Sequence, residues 1–177
     1  MLLQIKHTGS SEEVTALRTL FEDYLKCTLW SERALVSVFA ELRQQVASKD
    51  ISRILLEHTA NTQIHCDRIV KIFESIGIPA EEKRFEPMES LMREASIIVD
   101  QTSSGAVRDA AIIALLQHIM HCEIASYGTL KSFAITLKEE NVVALLEQNL
   151  IEEKDIDHRL SMIAQASIND EAANKEY

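Results

Sequence analysis

The sequence predicts an all-α fold: four long amphipathic helices packed as an antiparallel bundle, with a shorter helix in a long crossover between the second and third. Three observations carry this. Apolar side chains recur every three or four residues over four long stretches, the period of a helix with one buried face. The four glycines and two prolines fall outside those stretches, apart from Gly128. No segment combines period-two alternation with the turn residues of a β-meander.

The first helix is expected over about 12–47, started by the hydroxyl and acids of Ser10-Ser11-Glu12-Glu13. Its stripe reads Phe21, Leu25, Thr28, Glu32, Leu35, Phe39, Leu42, Val46. Asp50 is positioned to cap a second helix over about 51–76, which Gly77 stops with Pro79 just beyond. That stripe is Ile51, Leu55, His58, Thr62, His65, Ile69, Ile72. Residues 78–87 read as a linker ending in Glu86-Pro87, and Met88 to Val99 as a short helix. Gln101 to Gly105 breaks the chain again. The third long helix, about 106–137, carries Leu116, Ile119, Glu123, Tyr127, Leu130 and Ala134. The fourth, about 141–166, carries Leu146, Leu150, Glu153, Asp157, Leu160 and Ala164. Long helices of ~25–35 residues would be ~38–52 Å in length at 1.5 Å per residue. The connection from Gly77 to Gly105 is long enough to run from one end of such a bundle to the other. That is the topology of a ferritin-like fold, one domain over 1–177 with its core at about 12–166 and short tails.

Polar residues occupy places in every one of these stripes. Glu32, His58, His65, Glu123, Glu153 and Asp157 stand where the pattern calls for apolar side chains. A buried ionised carboxylate is costly unless paired, protonated or bound to a metal. A two-metal centre of iron or manganese uses oxygen-rich ligands and one or two imidazoles in a dry cavity. Bundles supply these with a single Glu from each of two helices and a Glu-x-x-His pair from the others. Glu32 and Glu123 fit the single glutamates, Glu153 and Asp157 lie one turn apart on the fourth helix, and His58 and His65 lie two turns apart on the second. No Glu-x-x-His occurs among them, Asn61 stands where a carboxylate would complete the set, and Glu57 lies beside the stripe. A buried hydrogen-bonded network that needs no metal is the competing reading.

Composition narrows the function. Eighteen basic against 28 acidic residues leave a net charge of −10, with no Lys/Arg cluster to neutralise phosphates, so nucleic acid is not an expected partner. The uninterrupted apolar runs are short and the first residues lack a secretory pattern, so no membrane partner and a cytoplasmic location are expected. Cys27, Cys66 and Cys122 form no metal or redox spacing and read as small buried thiols. His118 falls at a stripe's edge and His121 on the far side, both suited to the surface, as are His158 and His7. Met88 and Met92 read as gap-filling core.

Three runs carry a likeness to a known family: Val107-Arg108-Asp109-Ala110-Ala111, Glu123-Ile124-Ala125-Ser126-Tyr127-Gly128-Thr129-Leu130, and Glu152-Glu153-Lys154 followed by Asp157 and Leu160. In these the chain resembles the YciE/YciF family of bacterial ferritin-like stress proteins. Leu20-Phe21, Ser31-Glu32, His58, Thr62, Arg68 and the ending Ser167 to Ala172 extend it over roughly 17–172. The resemblance implies a ferritin-like bundle with a di-metal centre, a stress role of unsettled activity, and a homodimer. Iron or manganese is the implied metal, with zinc as a further fit and oxygen or peroxide as a small-molecule oxidant. Glu32, His58, Glu123, Glu153 and Asp157 match the family's acidic and imidazole positions. Met120 departs from a family Glu three residues before Glu123, Asn61 from an acid after the helix-two histidine, and His65 from a common Gln. Two missing carboxylates predict weakened, mononuclear or absent metal binding.

Overall fold

The computed structural model describes residues 11–174, all-helical apart from connections. The elements are α1 (Ser11–Arg43), α2 (Lys49–Ser75), α3 (Glu86–Gln101), α4 (Ala106–Thr136), α5 (Glu140–Ile163), a π-helical turn (Ala164–Ile168) and α6 (Asn169–Asn174). Ser10 and His7 lie outside the described residues. The four long helices are α1, α2, α4 and α5. Cross-helix contacts set their directions: Tyr24 of α1 packs on Phe133 of α4 and Arg18 meets Glu139 just past the end of α4, while Glu57 meets Arg159 and Arg68 meets Glu152 between α2 and α5. Each neighbouring pair is therefore antiparallel.

The crossover follows from two bonds at its ends. Lys83 N–H donates to Lys26 C=O, 3.2 Å, fastening the linker along α1. At the other end the buried Asp109 carboxylate, near the start of α4, accepts from Ala47 N–H (2.9 Å) and Ser48 N–H (2.8 Å) just before α2. So α2 and α4 start at the same end of the bundle, and the chain between them travels its length. Arg108 secures the last turn of α3 by donating to the Val99 and Thr102 carbonyls.

Helix ends differ from the sequence expectation where side chains from distant segments intervene. Arg43 closes α1 four residues before 47, with Gln44 and Gln45 bonding back to Glu41 and Leu42, because Asp109 claims the next amides. Ser48, not Asp50, caps α2, accepting from Ile51 N–H at 3.4 Å; Asp50 lies in the first turn and pairs with Arg53. The fourth long helix stops at Ile163 but the chain stays helical to Asn174, so the expected tail is a π-turn and α6 packed on α4. Gly77 behaves as predicted: at φ +75° it closes α2, with Ile78 N–H on Phe73 C=O and Gly77 N–H on Glu74 C=O.

The same closure ends α4, but with Lys138 at φ +61°. Glu139 N–H bonds Ala134 C=O and Lys138 N–H bonds Ile135 C=O. A residue with a Cβ is strained there. Lys138→Gly is expected to stabilise the fold by about 1 kcal/mol, raising Tm by about 2–4 °C in a thermal melt. Asp109→Ala should act oppositely. It strands two amides that now bond a carboxylate, costing about 2 kcal/mol and ~4–8 °C in Tm.

By length and composition α4 could cross a membrane. Here it is a bundle helix packed on α1, α3 and α5, with Asp109 and Glu123 buried along it. The apolar interior falls into two clusters. One gathers Leu35, Phe39, Leu55, Ile112, Leu116, Ile119 and Leu160; the other gathers Phe21, Leu25, Leu29, Ile69, Phe73, Leu130 and Leu146. A polar layer lies between them.

Candidate metal centre

That layer is built from one to three residues of each long helix. Glu32 (α1), His58, Thr62 and His65 (α2), Glu123 and Tyr127 (α4), and Glu153 (α5) are all buried to 2% exposure or less. Helical spacing explains why they meet: each holds a stripe position within about two turns of its neighbours, and the antiparallel register brings these segments of the four helices together.

Glu32, His65 and Glu153 each offer a ligand atom within 4.8 Å of the others, and so do His58, Glu123 and Glu153. Glu153 is common to both groups. A divalent first-row ion binds carboxylate oxygen or imidazole nitrogen at about 2.0–2.2 Å, so opposed ligands stand about 4 Å apart. Small side-chain rotations would close either group around an ion.

Hydrogen bonding tests whether these residues suit a metal. Among the described residues, buried side-chain atoms without a hydrogen-bond partner are Glu32 Oε2, His58 Nδ1 and Nε2, His65 Nδ1, both oxygens of Glu123, both of Glu153, and Asn149 Nδ2. Eight of the nine belong to the two groups. Buried polar atoms are ordinarily satisfied, so such a concentration needs a cause. Cations among them would provide one, and the donor set of carboxylates and imidazoles suits iron, manganese or zinc.

The remaining atoms of Glu32 and His65 are held. Tyr127 donates its hydroxyl proton to Glu32 Oε1. His65 Nε2 bonds Glu152 Oε2 at 2.8 Å, and Arg68 grips Glu152 at 2.6 and 2.9 Å while donating to Asn149 Oδ1 at 2.8 Å. His65 Nδ1 lies 3.2 Å from Glu153 Oε1 and 3.5 Å from Glu32 Oε2. His58 Nε2 stands 3.8 Å from Glu153 Oε2.

Protonation follows from these contacts. Burial alone would lower the pKa of His65, but Glu153 and Glu32 outweigh it and raise it to about 10. His58, with weaker partners, is pushed down by burial and stays neutral. Burial, then Glu153 and Glu32, push Glu123 well above the ordinary carboxyl range. Without metal the layer thus holds protons on His65 and Glu123. Metal binding must release them.

Five of the six residues singled out in the sequence lie in this layer. Asp157 does not. It is one-fifth exposed on the α4–α5 seam, where Gln117 donates to it at 3.3 Å and His121 lies 3.5 Å away. The reason is rotational: Ile156, three residues on from Glu153, takes the core position, and Asp157, four on, turns past it. Asn61 and Glu57 also lie off the layer, Glu57 paired with Arg159. His118, His121 and His158 are exposed, and Met88 is buried, as expected. Of the thiols only Cys66 is fully buried, its pKa pushed up to about 12 by burial; Cys27 and Cys122 are half-buried, and burial raises them too. Asn149 went unmarked in the sequence, and Arg68 and Glu152 entered only through the resemblance. Arg68 follows His65 by one turn, a cation on the face turned to α5, and that was the available signal.

The chain matches the family model described as domain of unknown function DUF892 over residues 16–173. It is 32% identical over 160 residues to Protein YciF of Escherichia coli (strain K12), covering 90% of this chain and 96% of that protein. The crystal structure of the E. coli stress protein YciF superposes with a TM-score of 0.83 at 32% identity, over 86% of this chain and 97% of that one. YcfI from Rhodopseudomonas palustris, described provisionally as a structural protein, superposes with a TM-score of 0.81 at 27% identity, over 86% and 98%. A ferritin-like bundle matched over nearly its whole length by both family model and curated relative places this chain in the YciF family.

Proposed function

We propose that this chain is a metal-binding ferritin-like protein that serves a stress response, holding iron or manganese between α1, α2, α4 and α5. The observation that carries the reading is the convergence of eight unsatisfied buried donor atoms on two ligand groups sharing Glu153. Glu32, His58, His65, Glu123 and Glu153 are the proposed ligands. The stress role rests on the relationship to the E. coli stress protein. When bound, such metals supply one-electron chemistry toward oxygen or peroxide. The protein's own groups would orient the ions, exclude water and take up or release protons at His65 and Glu123. Elemental analysis of tag-free protein should find one to two equivalents of iron, manganese or zinc per chain. A content below about 0.1 per chain, unchanged by anaerobic Fe(II), would overturn the reading, because a folded ligand set of this kind binds as soon as its protons are displaced. The homodimer implied by the family resemblance belongs to the same proposal and is checked by sedimentation velocity.

A second reading has its own support. Protonated His65 lies between Glu32 and Glu153 and offsets part of their negative charge, and a protonated Glu123 adds none, which lowers the cost of the layer without metal. It would then fix helix register as part of a structural protein, in line with the description of the R. palustris relative. That reading requires a melting temperature indifferent to chelator.

A further inference from the structure

We infer that the two halves of the centre are unequal: the Glu32/His65/Glu153 position is held in binding geometry by Tyr127, Glu152 and Arg68 and fills first, while the His58/Glu123/Glu153 position lacks such support and fills later and more weakly. This rests on the metal-binding reading above.

Each carboxylate or imidazole has two donor atoms, and an ion is bound best when one is tethered and the other presented. Glu32 is tethered through Oε1 by the Tyr127 hydroxyl, which leaves Oε2 free. His65 is tethered through Nε2 by Glu152, which leaves Nδ1 free. In the neutral ring a proton on Nε2, facing Glu152, puts the bare lone pair on Nδ1, toward Glu32 and Glu153. Arg68 then fixes Glu152 with two bonds, so the tether is itself anchored. The ring of Tyr127 also stands edge-on to His65, with centroids 5.9 Å apart. One ligand atom from each of these two residues is thereby presented.

The other half has none of this. Both nitrogens of His58 and both oxygens of Glu123 lack hydrogen bonds. His58 is oriented by packing on the Phe39 ring, 4.5 Å between centroids, and no hydrogen bond fixes either nitrogen. One turn before Glu123 the fully buried Met120 offers a weakly accepting thioether and no charge. One turn after His58 stands Asn61, neutral and off the layer. Tyr127, Glu152 and Arg68 are thus positioning residues that act on the metal through Glu32 and His65.

The test is calorimetric and spectroscopic titration of Co(II) into the metal-free full-length chain. Two resolved steps are expected, each near one ion per chain. Tyr127→Phe and Glu152→Ala should each weaken the first step by about tenfold or more and leave the second unchanged, the usual scale for loss of a partner behind a metal ligand. Glu152→Gln, whose amide oxygen still accepts from Nε2–H, should recover most of that loss. Glu123→Gln should remove the second step alone. A purely structural role would lower the melting temperature without selecting one step. Glu152 is 34% exposed, so its variants test the inference even if Tyr127→Phe fails to fold. Two steps of equal affinity, or a Tyr127→Phe variant that weakens both alike, would overturn the inference and leave metal binding standing. No Co(II) uptake by the unmodified protein would overturn both.

Discussion

Glu153→Gln is expected to abolish metal binding completely, whereas loss of any other single ligand leaves part of it. The reason is topological. Glu153 is the one side chain present in both ligand groups, and it stands at the centre of the layer with both oxygens unsatisfied. Glutamine keeps the shape but removes the charge and replaces one acceptor oxygen with a donor. The readout is a thermal shift. For the unmodified protein, metal at about 100 times its dissociation constant adds about 2.7 kcal/mol to the folded state. At about 2–4 °C per kcal/mol for a domain of this size, that is a rise in Tm of about 5–11 °C over chelated protein. Glu153→Gln should show no shift at any metal concentration, and its chelated melt supplies the baseline for comparison. A metal-dependent shift that survives in this variant would mean that the ligands lie elsewhere. Asp157→Asn is the control: on the α4–α5 seam, facing Gln117 and His121, it should leave the shift intact.

That control marks a limit of reading a stripe from sequence. Helical periodicity located the four helices and the polar layer, since Glu32, His58, His65, Glu123 and Glu153 each replace an apolar residue in a regular run. It could not separate Glu153 from Asp157, because residues three and four apart both lie near the stripe's centre line. The choice fell to Ile156, whose burial in the core turned Asp157 outward. Helix ends were hidden for a different reason. Asp109 ends one connection and begins another by bonding Ala47 and Ser48 from across the bundle, a partner some sixty residues away in the chain. Lys138 in a left-handed conformation was equally illegible, since nothing in a lysine signals it. The tethers were the least visible. Glu152 and Arg68 are ordinary charged surface residues until the α2–α5 register places them behind His65.

The second large effect is on pH dependence, and metal cancels it. Metal-free protein is expected to lose stability as pH rises from about 6.5 toward 10. Folded His65 titrates at about 10, against 6.5 for the free side chain. Between those values the folded state holds a proton that the unfolded state has released, so stability falls with rising pH. Glu123, raised well above 4.5, acts in the same direction. His58 acts oppositely and at lower pH: its lowered pKa means that the unfolded chain protonates first, and stability is lost as pH falls below 6.5. Glu57 and Glu152, lowered by Arg159 and Arg68 against the effect of burial, add to the loss at acid pH. The metal-free optimum therefore lies near neutrality or just below. At 1.36 kcal/mol per pH unit, the His65 contribution has a ceiling on the order of 5 kcal/mol. Urea midpoints of chelated protein at about pH 6.5, 8 and 9.5 should decline in that order, and His65→Gln should flatten the decline. Metal cancels the slope, because an ion at Nδ1 and at Glu123 displaces the same protons and binds more tightly as pH rises. The gap between loaded and chelated midpoints should thus widen from pH 6.5 to 8. A chelated profile that stays flat from pH 6.5 to 9.5 would show that His65 carries no buried charge, and the electrostatic case for the layer would fall with it.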